Sequence, residues 1–275
     1  MRPRVHRTAK PILVVLMCLS LAGCGGLREE AEALGLARPA ASPAETAPAP
    51  EVALAEARAA QARGDYETAE RRYIAAANQG NVPAQLALGT LYLSGTGVQQ
   101  NYAEALHWLE PAARAGNADA QLRTGLVYEL GGSGVTSDPA RAIDWYQRAA
   151  AQGQATAQYR AGKLQLQGIL GRENPTGALA LFRQAAAQNL PQAQTALGQL
   201  YLQGRGVRQD IREAVVWLKR GAEGNDPEAM VELGRLYWEG QLVGKNVPEG
   251  TRWLQRAAAL GSEAARHELA LPPAR

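Results

Sequence analysis

The sequence predicts an all-α solenoid, because one motif recurs along most of the chain with a spacing of 36 or 37 residues. An alanine and a glycine return at the same phase of the motif. The alanines are Ala84, Ala120, Ala157, Ala193, Ala229 and Ala265, and the glycines are Gly89, Gly125, Gly162, Gly198 and Gly234. A fixed period of this length is typical of stacked supersecondary units, none of which buries its apolar face alone.

Each unit begins with a first helix that has one apolar face. In the clearest copy, Leu197, Gly198 and Tyr201 follow Ala193 at helical intervals. A further glycine then stands at one position of every unit, where a left-handed residue would end the helix. These glycines are Gly95, Gly132, Gly168, Gly204 and Gly240.

A second helix is predicted to start six residues later, at a residue whose side-chain oxygen suits an N-cap. These residues are Asn101, Asp138, Asn174, Asp210 and Asn246. Glutamates three residues after three of them, Glu104, Glu213 and Glu249, predict reciprocal capping boxes. Loss of one cap is expected to cost about 1 kcal/mol.

The second helix carries one large side chain in each unit, directly ahead of two small residues. The large residues are Trp108, Trp145, Phe182, Trp217 and Trp253, and the small pairs begin at Ala112, Ala149, Ala185, Gly221 and Ala257. Small residues allow neighbouring helices to approach closely, and a buried Trp removes roughly 150–250 Å² from water. The pattern therefore predicts that these rings form the core.

Composition agrees with a helical array and gives no reason to propose nucleic-acid binding. The chain has 275 residues, of which 46% are hydrophobic and only 5% aromatic. It contains 29 Lys and Arg against 26 Asp and Glu. Four of the basic residues, Arg2, Arg4, Arg7 and Lys10, precede Cys24 in a segment that we expect to be removed. The remaining body is nearly neutral, so it lacks the basic footprint of a nucleic-acid-binding protein.

The N-terminus has the pattern of an export signal. Residues 1–10 are basic, and residues 11–21 form an apolar stretch that is too short to span a bilayer. The stretch ends in Leu-Ala-Gly-Cys at residues 21–24, which resembles the lipobox of bacterial lipoproteins. The resemblance implies cleavage before Cys24, lipidation of Cys24 with acyl chains such as palmitate, and, because Gly25 follows, sorting to the outer membrane. A plain signal peptide with an incidental cysteine is the alternative.

The cysteines and the segment after them set the expected organisation of the mature chain. Cys18 leaves with the signal and Cys24 is lipidated, so no free thiol, disulfide or cysteine metal site remains. Residues 24–50 are rich in Pro and Ala and are expected to form an extended tether. Residues 51–80 look like a tetratricopeptide unit that caps the array. Five full units are predicted over residues 81–262, and residues 263–275 are predicted to form a C-terminal capping half-unit and tail.

The complete motif resembles the SEL-one-like repeat, a relative of the tetratricopeptide repeat. Unit four carries it in full, with Ala193, Leu197-Gly198, Tyr201, Gly204, Gly206, Asp210, Ala214, Trp217, Gly221-Ala222 and Gly224. The third unit departs from the motif at Gln165, Phe182 and Asn189. The resemblance implies a right-handed superhelix of antiparallel helix pairs, with first helices on the concave side, that binds proteins or peptides. It does not identify the partner.

No catalytic, metal or cofactor site is predicted. The mature chain has two histidines, His107 and His267, and neither has a nucleophile, acid or cysteine at a recognisable spacing. The glycine-rich loop at residues 131–134 is not followed by the Lys-Ser/Thr pair of a phosphate loop. We interpret it as a repeat loop with one extra residue.

Candidate binding residues lie where first helices would face the concave side. We select Arg123, Leu126, Tyr159, Arg160, Lys163, Gln199, Arg235 and Trp238, with Gln167 and Gln203 among the neighbouring positions. Arg123, Arg160 and Lys163 would form a basic centre that suits a carboxylate-bearing peptide or acidic polymer. Two alternatives stay open. In the first, Trp238, which stands where other units have Leu, serves packing. In the second, the basic residues form a solvated face.

Three classes of function compete for a protein with these features. The first is an outer-membrane-anchored, periplasm-facing scaffold, not an enzyme, that binds protein partners in an envelope complex for exopolysaccharide export or envelope assembly, as a monomeric solenoid. The second is an exported host-interaction factor, a role also found in this repeat family. The third is a β-lactamase-like enzyme. The resemblance ties that activity to cysteine-rich members with a cysteine pair in every unit, which this sequence lacks.

Overall fold

The computed structural model describes residues 48–240 and 242–270. These residues form thirteen helices, and no β-structure beyond one bridge between Gly132 and Val135. The helices are α1 Pro50–Ala62, α2 Tyr66–Ala77, α3 Val82–Ser94, α4 Tyr102–Arg114, α5 Ala118–Leu130, α6 Pro139–Ala151, α7 Ala155–Leu166, α8 Pro175–Ala187, α9 Pro191–Gln203, α10 Ile211–Glu223, α11 Pro227–Glu239, α12 Val247–Ala259 and α13 Glu263–Ala270. The predicted signal peptide, lipidated Cys24, most of the tether and the last five residues lie outside the described residues.

Each helix packs against the next one along the chain, which is the arrangement of an α-solenoid. Odd-numbered helices are the first helices of the pairs and even-numbered helices are the second ones. Two pairs of consecutive first helices, α3 with α5 and α9 with α11, also contact each other directly. The predicted all-α solenoid is therefore confirmed. The pair α1–α2 precedes the five full units, and α13 follows them. The capping role of these helices stays a prediction.

The repeat glycine is required because the second helix of the same unit presses a large side chain against it. A Cβ atom at Gly198 would lie 2.6 Å from Leu218 Cγ and 3.2 Å from the Ala214 carbonyl oxygen. The same contact recurs in every full unit, where the opposing residues are Leu109, Tyr146, Phe182, Leu218 and Leu254. All five are fully buried. Glycine at this position lets the two helices of a unit approach closely.

The prediction that the tryptophans form the core is wrong by one residue. Trp108, Trp145, Trp217 and Trp253 are only partly buried, whereas the residue after each is fully buried. Phe182 belongs to the buried position, and Leu181 stands where the other units have Trp. Each tryptophan packs against a core cluster that includes residues of the preceding unit. In three of them, the guanidinium carbon of an arginine lies 4.7–4.8 Å from the ring centroid. The pairs are Trp145–Arg148, Trp217–Arg220 and Trp253–Arg256.

All five predicted N-caps of the second helices are confirmed. In each, the side-chain oxygen accepts a hydrogen bond from a backbone N–H of the first turn. The capping boxes differ from the prediction. The N–H groups of Asn101, Asp210 and Asn246 donate instead to carbonyls of the preceding first helix, those of Tyr92, Tyr201 and Tyr237, at 2.8–3.0 Å. Because the backbone N–H of each N-cap residue donates to one of these carbonyls and not to a glutamate, the N-cap residue links the second helix to the first helix of its unit.

Three of the five predicted glycines end their first helices, and the second and third units differ. In the third unit, Gln167 is the C-cap residue, and Gly168, with φ of 68°, follows it. Gly95, Gly204 and Gly240 are left-handed cap residues as predicted. In the second unit the helix ends at Gly131, with φ of 66°, one residue before the predicted Gly132. The extra residue of that loop is accommodated by the small bridge between Gly132 and Val135.

A row of buried glutamines joins successive units, and the predicted repeat motif does not include it. The side-chain amides of four glutamines donate to backbone carbonyls of the preceding second helix at 3.0–3.5 Å. The pairs are Gln85–Ala77, Gln121–Ala113, Gln158–Ala150 and Gln194–Ala186. Each of these carbonyls also accepts a backbone N–H from the turn that follows the helix, so the glutamine amide is its second donor. The signal was present in the sequence, because Gln follows the repeat alanine four times and only the fifth unit has Met230 there.

Candidate functional site

Polar side chains link consecutive first helices along one side of the solenoid. Arg160 on α7 forms an ion pair with Glu129 on α5 at 2.9 Å. The Gln199 amide on α9 donates to Glu228 on α11 at 2.7 Å, and Arg235 on α11 pairs with Glu268 on α13 at 2.8 Å. We call the side of the first helices that carries these bridges the inner face. The bridges fix the spacing of the helices on that face.

A cavity of about 250 Å³ opens on the inner face between α7, α9 and the start of α11. We call it the inner pocket. Its apolar lining consists of Leu166, Phe182, Ala196 and Leu200. Its polar lining consists of Tyr159, Lys163, Gln167, Gln192, Gln199, Gln203, Arg205 and Glu228. An apolar floor under a polar rim is the usual construction of a binding pocket.

Tyr159 is the central side chain of the inner pocket. Its ring lies 5.8 Å from the Phe182 ring, and the Lys163 ammonium lies 5.8 Å from the Tyr159 ring centroid. Burial raises the pKa of Tyr159 to about 12, and the nearby carboxylates of Glu228 and Asp226 add to the effect. The hydroxyl is therefore neutral at physiological pH and can both donate and accept a hydrogen bond.

The start of α11 is held in place by a buried acid. Asp226 is only 7% exposed and caps α11, where it accepts a hydrogen bond from the Glu228 N–H at 3.3 Å. The Thr195 hydroxyl on α9 also donates to the Asp226 carboxylate. Burial raises the pKa of Asp226, although these two hydrogen bonds favour its charged form. The contact fixes Glu228 at the edge of the inner pocket.

The predicted basic centre is only partly basic in the structure. Arg160 is paired with Glu129, and Arg235 is paired with Glu268 and lies 3.9 Å from Glu232. Arg123 and Lys163 form no ion pair within the described residues. Lys163 is exposed and Arg123 is partly exposed. The structure therefore leaves two cations, on α5 and α7, without a carboxylate.

Leu126 and Trp238, the two apolar groove candidates, differ in exposure. Leu126 is partly exposed on α5, as a groove residue needs to be. Trp238 is only 8% exposed, and its indole N–H donates to Thr251 at 3.1 Å. Its ring lies against Gly250 of α12, where an added Cβ would meet it at 2.4 Å. Its assignment to the groove is corrected, because the ring packs between α11 and α12.

Sequence reasoning missed part of the pocket because it stopped one helical turn short. Gln192, Ala196, Gln199 and Gln203 form one stripe of α9, at intervals of four, three and four residues. The predicted groove positions began three residues before the repeat glycine, which is Thr195 in this unit. Continuation of the helical period towards the N-terminus would have found Gln192, and Glu228 at the same position of the next unit.

A wider cavity of about 960 Å³ lies among the loops of the fourth and fifth units. In units one and four, the second glycine of the loop packs against the first residue of the second helix of the preceding unit. Gly97 packs against Tyr66, and Gly206 packs against Pro175. The fifth unit has Leu242 at this position, and Leu242 is exposed and lines the cavity. Arg208 and Arg212 lie on its rim together with Asp210 and Glu213, so opposite charges alternate there. This rim indicates no particular ligand charge.

The two histidines of the described residues lie on different helices. On α4, the rings of His107 and Trp108 pack edge to face with 4.6 Å between their centroids, and His267 lies on α13. Residues 48–240 and 242–270 contain no group of three or more His, Cys, Asp or Glu arranged to hold a metal ion. Among the thirteen helices, none has the length and apolar character needed to cross a bilayer.

The chain is similar to known repeat proteins in sequence and fold. The family model described as Sel1 repeat matches residues 82–117, 118–154, 155–190, 191–226 and 227–262, which are five consecutive units. A protective antigen of uropathogenic Escherichia coli with an SLR fold is 31% identical, with a TM-score of 0.72 over 81% of this chain. The match covers 50% of that antigen, so this chain spans about half of its length.

A second solved structure is similar over most of its own length. The Sel1 repeat protein from Oxalobacter formigenes is 32% identical, with a TM-score of 0.71. The alignment covers 78% of this chain and 84% of that protein. No curated protein matches the chain.

Proposed function

Because this chain belongs to the Sel1 repeat family, we propose that it is a lipid-anchored scaffold that binds protein partners on the periplasmic side of the outer membrane. Sel1 repeat proteins are generally non-catalytic scaffolds for protein–protein interaction. The proposal goes further in two respects. It assigns partner binding to the inner pocket, and it assigns the membrane attachment to Cys24.

The observation that carries the proposal is the inner pocket. The first helices are tied to each other by Arg160–Glu129, Gln199–Glu228 and Arg235–Glu268, so the inner face is already ordered before a partner arrives. A preorganised surface loses less conformational entropy on binding. The pocket places apolar side chains at its base and exposed polar side chains at its rim, as a protein-binding surface requires.

The N-terminal sequence supports the anchor and the compartment. A basic segment, a short apolar segment and Leu-Ala-Gly-Cys at residues 21–24 are the features of a lipoprotein signal. Several acyl chains on Cys24 would hold the protein stably at a membrane, whereas one chain alone binds marginally. The proposed complex would serve exopolysaccharide export or envelope assembly.

Blocking the inner pocket tests partner binding. We expect Ala196→Trp to reduce partner recovery by at least tenfold when the tagged full-length chain is purified from solubilised membranes. Ala196 lines the pocket, so the new ring fills it. The matched control is Val216→Trp, because Val216 is 44% exposed on α10, a second helix. Equal recovery with both variants, or greater loss with Val216→Trp, would contradict the proposal.

The anchor is tested in the same cells by Cys24→Ser. This variant is expected to leave the membrane fraction and to bind the partner in soluble form. If Cys24→Ser stays in the membrane fraction, the lipid anchor is ruled out, but partner binding at the inner pocket is not.

A host-interaction role is the second candidate, and one observation favours it. The similar E. coli protein is described as a protective antigen. Such a role requires the solenoid to be accessible from outside the cell. Labelling by an antibody on intact cells would favour it over the periplasmic scaffold, whereas labelling only after permeabilisation would favour the scaffold.

A further inference from the structure

We propose that the inner pocket binds an extended peptide segment in which an aliphatic side chain stands next to an acidic one. This inference rests on the proposed function and specifies the chemistry of the partner. It follows from the size of the pocket, from the side-chain amides on its rim, and from one cation that has no carboxylate.

The size and lining of the pocket fit one aliphatic side chain. Its volume of about 250 Å³ lies below the ~300–1,000 Å³ typical of small-molecule and cofactor sites. Leu166 and Ala196 are partly exposed and supply saturated carbon at the base, and the fully buried Leu200 and Phe182 lie beneath them. Burial of a leucine, isoleucine or methionine side chain there removes apolar surface from water on both partners.

Three rim amides are available to a peptide backbone. The side chains of Gln167, Gln192 and Gln203 make no hydrogen bond within the described residues. Each primary amide offers both donors and an acceptor, which matches the alternating N–H and C=O groups of an extended chain. Gln192 and Gln203 lie on α9, and Gln167 is the C-cap residue of α7, so the amides flank the pocket on two helices. Such contacts hold a backbone without selecting its sequence.

The charges select the neighbouring side chain. Arg205 on the rim pairs with Glu173 at 2.8 Å, and Arg160 beside the pocket pairs with Glu129. The Glu228 carboxylate already accepts the Gln199 amide. Lys163 forms no ion pair in the described part of the chain, and its ammonium lies 5.8 Å from the ring centroid of Tyr159. A guest carboxylate would complete this site with a charge-assisted hydrogen bond.

A carbohydrate fits the same site less well. Sugar rings pack on free aromatic faces, but Phe182 is fully buried and the Tyr159 ring is contacted by Phe182 and Lys163. The saturated side chains at the base offer a carbohydrate no polar partner. Glycan binding is therefore an alternative outcome of the test rather than part of the proposal.

A peptide selection tests the proposal. Random seven-residue peptides displayed on phage are selected against the purified full-length chain, and enriched peptides are measured by fluorescence anisotropy. We expect enrichment of Leu, Ile or Met next to Asp or Glu. Lys163→Glu is expected to weaken the acidic peptides at least tenfold and to enrich Lys or Arg instead. Lys163→Gln should weaken binding without enriching either charge.

Two controls separate charge from folding and location. Lys219→Glu makes the same charge change on α10, where Lys219 lies over Tyr237 at 5.9 Å, and should leave the selection unchanged. Lys163 is exposed, so its variants are expected to keep the circular dichroism of the wild type. Ala196→Trp is expected to abolish the aliphatic preference.

Three results would overturn the inference. The first is that the enriched peptides contain no acidic residues. The second is that Lys163→Glu enriches the same peptides as the wild type. The third is that no peptide is enriched, whether or not the protein binds a glycan array. Each leaves the proposed function intact if Ala196→Trp still loses the native partner from membranes. If Ala196→Trp retains that partner, the proposed function itself fails.

Discussion

Leu218→Ala is expected to destabilise the protein by about 2–5 kcal/mol, and by more than Trp217→Ala, although tryptophan is the larger residue. Leu218 is fully buried against Gly198, so its truncation leaves a cavity between the two helices of the fourth unit. Trp217 is only partly buried and part of its ring faces Arg220 at 4.7 Å. Solvent and neighbouring side chains can fill the space left by its removal.

Urea unfolding followed by circular dichroism would measure the difference. Repeat proteins can unfold in parts, so the comparison should use variants within one unit and should be repeated in another. Leu254→Ala and Trp253→Ala supply that second pair. A larger loss of stability from the tryptophan variant in both units would show that the tryptophans, and not the residues after them, form the core.

Gly198→Ala is expected to destabilise the protein by about 1–3 kcal/mol, the opposite of the usual effect of this change within a helix. Alanine normally stabilises a helix interior by about 1 kcal/mol relative to glycine. Here the added Cβ would lie 2.6 Å from Leu218 Cγ, and the Ala214 carbonyl at 3.2 Å prevents a simple shift. The two helices would have to separate.

The double variant Gly198→Ala with Leu218→Ala tests whether this contact is the cause. Removal of the Leu218 side chain frees the space that the new Cβ needs, so the double loss should be smaller than the sum of the single losses. Gly244→Ala is the control, because a Cβ there meets nothing within 4 Å and its φ is not positive. A stabilising Gly198→Ala would refute the close approach of the helices.

Local patterns in the sequence predicted the fold well because the signals are short-range. The N-cap residues such as Asn101 and Asp210 and the left-handed Gly95 and Gly204 depend on residues a few positions apart. The repeat period is longer, but comparison of the copies along the chain reveals it without knowledge of any tertiary contact. The register of the core was harder to predict. Trp217 and Leu218 are adjacent and differ by about 100° around the helix, so both positions look internal. The closeness of Gly198 to Leu218 decides between them, and that distance is a tertiary property.

The candidate site was less predictable because its charges are set across units. Arg160 and Glu129 are 31 residues apart, and Arg235 and Glu268 are 33 apart. No local pattern shows that these cations are paired while Lys163 is not. The burial of Trp238 was equally hard to predict. Its helical position suggested the groove, but Gly250 on the next helix has no side chain and leaves room for the ring in the core.

Site-specific photocrosslinking in living cells tests most directly whether partners bind on the inner face. A photoreactive residue placed at Gln203, on the rim of the inner pocket, is compared with one at Gln184, which is exposed on the second helix α8. We expect a crosslinked partner from Gln203 that is lost in Ala196→Trp, and none from Gln184. A partner crosslinked from Gln184 but not from Gln203 would contradict it.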